Sequence, residues 1–536
     1  LSRMSEKTKV SGIYTAELRL KDIQMLEAEL QKEGISEDLE SALEKKLEQL
    51  RSIKAGDSFE SETESVKENL LFDSCGRAVI VLNTEFAEEN GDYTAVCAVN
   101  IFRADGKVEE VYENIQNKAT FEDLSGNKLE SVSNSKTIKS GFNYDDFGRV
   151  LSFSQNDYSL QNGIEVLTET DRKYLYDDYG RVVFSSEEKT TAADFTAANS
   201  LNIQEFIDAA LADTSASPEQ IEAVNQLKKN IAEKSGGNYS VTETTEIDLF
   251  IYDSFGREIL SSQQMTSSHM QGRITQNTVV KNYNSANKAA GIFTISEQFK
   301  DGISVKKTEQ ETLTTKFDYR GRALRQKTIT KEDNNTRTEE DNHDRRYDEY
   351  GNLVYSDSDI TESAVGDDGL QLNRRYSKRF EALGEGAYII PGLLAKYKST
   401  TYGDITSPDK VTTQILTQIY DGFGRVVAVN TDMIEEERRI NSASEDLNGD
   451  GSVMSKRTNT VRVNLEFNED NLATKYGDFD FDVIGNLESA ILESNASWEQ
   501  QLADLYDEID GLNTQLNEAT QIAYNAAIIE IKESVY

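Results

Sequence analysis

The sequence predicts a β-rich α+β repeat protein: β-hairpins joined in an antiparallel sheet, with helical hairpins inserted and a long helix at the C-terminal end. Three observations predict it. An aromatic-Asp-x-x-Gly-Arg phrase recurs along the chain, helical segments keep phase with it, and only three prolines (Pro218, Pro391 and Pro408) interrupt 536 residues. The phrase occurs as FDSCGRAV from Phe72, YDDFGRV from Tyr144, YDDYGRVV from Tyr176 and YDSFGREI from Tyr252. It returns as FDYRGRAL from Phe317, YDEYGNLV from Tyr347, YDGFGRVV from Tyr420 and FDVIGNLE from Phe481.

Each copy reads as the closed end of a hairpin. Its flanks alternate Thr, aromatic and β-branched residues with polar ones, the period of a half-buried strand. Asp-x-x-Gly is turn chemistry: the Asp carboxylate accepts backbone N–H groups just ahead of it, and Gly supplies positive φ where the turn becomes a bulge. The aromatic and the residues after Arg then face each other across the hairpin. The arginine is expected to pair with the Asp of a neighbouring hairpin or to lie over a Tyr ring.

The helices come next. Ile23, Leu26 and Leu30 recur at helical spacing, and Ser36 with Glu37 and Asp38 opens a second helix carrying Leu39, Leu43, Leu47 and Leu50, closed by Gly56. A second pair lies at 201–235, where Ser217-Pro218-Glu219-Gln220 combines an N-cap, a first-turn proline and the capping-box Gln. SKRFEAL and PGLLAKYKS read as a shortened third version. Copies 72, 252 and 420, copies 144, 317 and 481, and copies 176 and 347 share a period of about 170 residues.

Three units follow from that period: 1–190 with a helical hairpin at 15–55, 191–360 with one at 201–235, and 361–486 with the shortened helical part. Residues 487–536 form the terminal helix, in which Trp498, Leu502, Leu505, Ile509, Leu512 and Leu516 make a heptad seam suited to another helix.

The phrase resembles the YD repeat of bacterial RHS/YD-repeat proteins, which are large secreted or surface proteins. The resemblance covers about ten residues in each of eight copies, at gaps of 30 to 76 residues, wider than in tandem arrays of the family. It implies successive hairpins in a long curling sheet, sometimes closed as a shell around a toxin. No Asp-Pro-x-Gly-Leu element of the kind that closes such a shell occurs.

Composition narrows the partners. With 57 basic and 96 acidic residues the formal charge is −39, which argues against nucleic-acid backbones and anionic membrane surfaces. No run of 18 apolar residues reads as a membrane span, and the opening LSRMSEK lacks both a signal-peptide pattern and an initiator Met, as in a processed product or an excerpt. Cys75 and Cys97 make either one bridge in an oxidising compartment or two buried thiols.

Catalytic signatures are few. His269 and His343 sit in polar surroundings and read as solvated surface groups, and no nucleophile elbow, phosphate loop or His-x-x-x-His is present. The expectation is a protein that is not an enzyme and holds no cofactor. One candidate metal site stands out: Asp446, Asn448 and Asp450, followed by Gly451, form the oxygen-rich opening of a Ca²⁺ loop, although position twelve is Arg457 and the same residues serve a simple turn. The reading that follows is a structural scaffold of the bacterial surface or extracellular space, assembling head to tail with copies of itself or with adjacent repeats into a filament, stalk or sheath. An adhesin that binds glycans is the alternative, and a YD-type toxin shell the second.

Overall fold

A computed structural model describes residues 2–480 apart from a few isolated positions, residues 385–386 and the segments 88–91, 123–127, 204–227, 366–370, 404–409, 438–453 and 468–472. Among these residues the main feature is one antiparallel sheet of 24 strands, running from Ser2–Ile13 to Ala473–Asp480. Strands pair with their neighbours in sequence, so the chain is a continuous meander. A two-stranded hairpin, Tyr388–Ile390 with Leu393–Leu394, stands beside it.

Alternation makes these strands. In Ile164–Tyr176, Ile164, Val166 and Thr170 are buried while Glu165, Glu169, Asp171 and Lys173 are exposed, so one face meets a core and the other meets water. A one-residue slip would exchange the faces, which is why the hydrophobic pattern sets the register.

The sheet coils back on itself, and its cores lie where successive turns meet. Two helices, α1 (Ala16–Leu30) and α2 (Glu37–Ser52), connect the first strand to the second, Ser58–Phe72. Thr15 and Ser36 cap them by accepting the N–H groups of Leu18 and Leu39, both at 3.2 Å, and Glu37, Asp38 and Glu40 complement the N-terminal end of α2. Their apolar faces cover strands some 200 residues later: Leu26, Leu43, Leu47 and Leu50 pack with Ile251, Leu260, Val280, Phe293 and Ile295. A second core joins Ile203 and Ile231 to Ile419, Val427, Val461 and Val463, and a third joins Ile164, Val166 and Phe195 to Ile389, Ile390 and Tyr420.

Polar contacts tie the same turns. The buried Lys46 amine donates to the Lys281 carbonyl and to Asn282 Oδ1, each at 2.6 Å, and burial pushes its pKa down to about 8. The Asp22 carboxylate accepts the Ser254 N–H at 3.0 Å, Asn199 Nδ2 donates to the Tyr420 carbonyl at 2.7 Å, and the Tyr350 hydroxyl donates to the Leu160 carbonyl at 2.9 Å.

Three sequence readings change. SKRFEAL and PGLLAKYKS are not a shortened helical hairpin: Gln371–Ala382 is a strand between Leu353–Val365 and Lys396–Tyr402. Backbone pairing on both sides outweighs the modest helical preference of the segment. His269 is not a solvated group but half-buried, edge-on to Tyr239 and Phe423 at 5.9 and 6.3 Å, and burial pushes its pKa down. Cys75 and Cys97 are two free thiols, the first exposed. Most of the predicted 201–235 hairpin, the candidate ligands Asp446, Asn448 and Asp450, and the helix at 487–536 lie outside the described residues.

Leu43 is fully buried at the centre of the helix–sheet core, whereas Leu20 is 53% exposed. Leu43→Ala is expected to destabilise the protein by about 2–5 kcal/mol through lost burial and a residual cavity, and Leu20→Ala by less than about 1 kcal/mol. Urea unfolding of the two variants measures the difference.

Candidate functional site

The recurring phrase builds one structure each time. In the hairpin of Tyr144, Asp145 Oδ1 accepts the N–H groups of Phe147 and Arg149 at 2.9 and 2.8 Å, while Oδ2 accepts Arg149 Nε at 2.6 Å. The Asp145 N–H donates to the Arg149 carbonyl at 2.9 Å and the Gly148 N–H to the Asp145 carbonyl at 3.0 Å. Gly148 has φ +80°, which a residue with a Cβ reaches only at a steric cost. The carboxylate thus clips its own turn shut. The same clip holds at Asp73, Asp177, Asp253 and Asp421. The arginine therefore pairs with its own Asp rather than with a neighbour's, because the turn places the two side chains side by side.

With Nε committed to that pair, the guanidinium lies over the aromatic of the next hairpin. Arg149 lies 4.8 Å from the Tyr176 ring centroid and its Nη1 donates to the Asp177 carbonyl at 3.0 Å. Tyr176 in return donates its hydroxyl to the Val150 carbonyl at 2.8 Å. Arg181 repeats this on Tyr252 at 5.3 Å, Arg257 on Tyr283 at 4.7 Å, Arg322 on Tyr347 at 4.6 Å and Arg425 on Phe467 at 4.4 Å. The returning hydroxyl bonds recur from Tyr252 to Val182, Tyr283 to Glu258, Tyr347 to Ala323 and Tyr420 to Leu394. One edge of the sheet is therefore a ladder of clipped tips, each reaching the next.

Four rungs escaped the sequence reading as members of the series. The tips at Phe102 and Tyr283 place Arg103 and Asn284 where Asp stands elsewhere, with Lys107 and Lys288 in the Arg position. Gly106 (φ +89°) and Asn287 (φ +56°) take the strained position, and Asn is the side chain that best tolerates it. Tyr388 opposes Leu394 and Phe467 opposes Ala473, the spacing of six seen at Tyr144 and Val150. An aromatic six residues before a new strand, with Gly or Asn fifth, is the signal that finds them. The copy at Phe481 lies outside the described residues.

The charge state of the clips follows their surroundings. At Asp73 the Arg77 N–H, more than any other contact, holds the carboxyl below its ordinary range. At Asp145 and Asp177 burial pushes upward, but the hydrogen bonds and charges of Arg149 and Arg181 outweigh it, so both are lowered. Asp348 goes the other way. Burial raises it, and Asn352 replaces the arginine that would have offset the desolvation.

Each rung is modest, since an exposed cation–π contact is worth about 0.5–1 kcal/mol and an exposed ion pair about 0–1 kcal/mol. What the ladder supplies is register and spacing. Inside the coil, eight neighbouring strands between Ala78 and Tyr252 form the floor of an open trough of about 1130 Å³. Its lining is apolar and amide-rich, including Leu82, Ile115, Asn134, Tyr158, Val166 and Tyr239, with Lys136 and Glu165 as its charged members. Such a floor suits contact with a polypeptide or another neutral surface better than capture of a charged small molecule. No group of three or more metal-ligating side chains occurs among the described residues.

No protein-family model matches this chain, and no curated protein matches it. Among solved structures it is similar to a chain of the Photorhabdus luminescens Tc holotoxin pore, with 12% sequence identity and a TM-score of 0.13. That match covers 88% of this chain and 29% of the other, so the chain spans less than a third of the length of the protein it matches.

Burial separates the clips by consequence. The Asp253 side chain is fully buried against Arg257, so Asp253→Ala is expected to cost about 3–5 kcal/mol, the loss typical of a broken buried pair. Asp177→Ala, at a wetter tip, should cost clearly less, and thermal unfolding compares them. The carboxyl pKa values carry a sign. Asp145 and Asp177, lowered in the fold, contribute stability that is present above the unfolded value of about 4 and lost as pH falls through their folded values. Asp348, raised, opposes folding at neutral pH and is relieved as acid protonates it. Carboxyl-resolved NMR titration is expected to place Asp348 above about 4 and Asp145 and Asp177 below it.

Proposed function

We propose that this chain is a structural scaffold, a coiled antiparallel wall that acts by shape and stiffness and catalyses no reaction. The ladder of clipped tips carries the reading: it commits the most specific side chains of the sequence to holding hairpins at fixed spacing. Contacts between successive turns support it, because they join segments about 200 residues apart into one stiff body. The YD-like phrases, the charge of −39 and two free cysteines suit a soluble protein of the bacterial surface or extracellular space. Grouping of the chain into units 1–190, 191–360 and 361–486, and docking of the 487–536 segment on a neighbouring subunit, belong to the same reading.

A second reading, a wall segment of a YD-type toxin shell, is favoured by the trough, whose apolar and amide lining suits an enclosed polypeptide. An adhesin would instead use exposed aromatics to meet glycans.

Negative-stain microscopy and a glycan array separate these. The scaffold reading expects uniform curved particles, or filaments built from them, and no glycan signal. Selective glycan binding by a monomer would overturn it. Calorimetry with Ca²⁺ tests the loop of Asp446, Asn448 and Asp450: heat that vanishes in Asp450→Ala marks a Ca²⁺ site, and no heat with the native chain marks a simple turn.

A further inference from the structure

The fourth residue of each tip lies in the turn between two strands, and what lies against it changes along the coil. In three of the later tips it meets an earlier turn, and of these Phe423 stays 59% exposed. Phe255 packs on the core beneath α1 and α2, Tyr350 bonds to the Leu160 carbonyl, and Phe423 lies edge-on to His269 at 6.3 Å. Their receptors share a location: the helical hairpin, the turn after Leu160 and the turn Ser267–Gly272 all sit at the end of the strands opposite the tips. Successive turns therefore stack tip row on loop row.

Among the described residues, apolar side chains stand exposed on both kinds of row. Phe147 and Tyr179 occupy the same fourth position in earlier tips and are 84% and 86% exposed, the highest values among the large apolar side chains described. The guanidinium of its own hairpin lies over each ring, Arg149 at 5.0 Å and Arg181 at 5.2 Å. On the loop row, the later turn at Asp301 and Gly302 exposes Ile303 at 70% and Val305 at 48%. One set lies on the tip row and the other on the loop row, the two kinds of row that meet between turns.

We propose that the tip row carrying Phe147 and Tyr179 seats on the loop row around Ile303 of a second copy of this chain, so that copies add head to tail and continue the coil. Continuity with the contact between turns commits the surface to this occupant: the patch meets the same kind of strand-end loop that Phe255, Tyr350 and Phe423 meet within one chain. Such an interface is heterologous, each copy offering a different surface, and it does not close unless the rotation returns on itself. The inference rests on the scaffold reading but fails separately from it, since a coil that stays single is still a wall.

Sedimentation of the full chain and of two variants tests the proposal. The tip variant is Phe147→Asp with Tyr179→Asp; the loop variant is Ile303→Asp with Val305→Asp. All four side chains are exposed, and Phe147→Ser with Tyr179→Ser replaces the tip variant if thermal unfolding shows that added charge disturbs the fold. The native chain is expected to self-associate with increasing concentration, and each variant alone to be weakened by roughly 30-fold or more, the loss typical of interface hot spots. Mixed in equal amounts, the variants keep one good row each and are expected to form a one-to-one pair of twice the 60.1 kDa chain mass, and nothing larger. A native chain that stays monomeric, variants that associate as the native chain does, or a mixture that forms no pair would each overturn the proposal.

Discussion

The structure depends on a carboxylate that closes its own turn. In Asp-x-x-Gly-Arg, one Asp oxygen accepts two backbone N–H groups and the other fixes Arg Nε, so the turn, the positive-φ glycine and the guanidinium plane are set together. A freely rotating arginine would lose side-chain entropy on finding the next ring. Here that freedom is already spent inside the hairpin, and the flat cation meets the next aromatic at a spacing the sheet dictates. The weak interaction becomes specific because it is preorganised.

From that edge the rest of the architecture follows. Strands held tip to tip at one end keep their register, and the natural twist of a long sheet makes it coil. Coiling brings turns together, and burial between them supplies the cores that a single sheet with two wet faces would lack. The helices α1 and α2 belong to this second level. They hang from the end opposite the tips and cover strands that arrive about 200 residues later, where Lys46 and Asp22 meet backbone groups of the next turn. The most buried clip, Asp253 with Arg257, lies at this junction, where the tip ladder and the contact between turns coincide.

The acidic surplus fits the same picture. Most arginines and lysines near the tips are engaged by carboxylates or rings, so the excess negative charge falls on exposed strand faces such as Glu165, Glu169 and Asp171. Self-repulsion of this kind keeps a large exposed sheet soluble and discourages unplanned edge pairing.

Much of the local structure was legible. Where a tip carries Asp, Gly and Arg they lie within six residues, so hairpin, bulge and the facing of Tyr144 with Val150 could be read from turn chemistry alone, as could the Ser36 cap of α2. Degenerate tips such as Tyr283 to Lys288 were not legible, because there the sheet's register imposes the turn and the residues need only tolerate it. The strand at 371–382 and the half-buried His269 were hidden for a related reason: pairing partners on both flanks, and a ring from a tip 154 residues away, decide them. The sequence by itself determined where the chain turns and which side chains close those turns, because these are contacts over a few bonds. Only the tertiary structure decided which tip residues meet another turn, which carboxylates are buried and which apolar side chains are exposed, because those depend on how the accumulated twist of many strands returns the sheet upon itself.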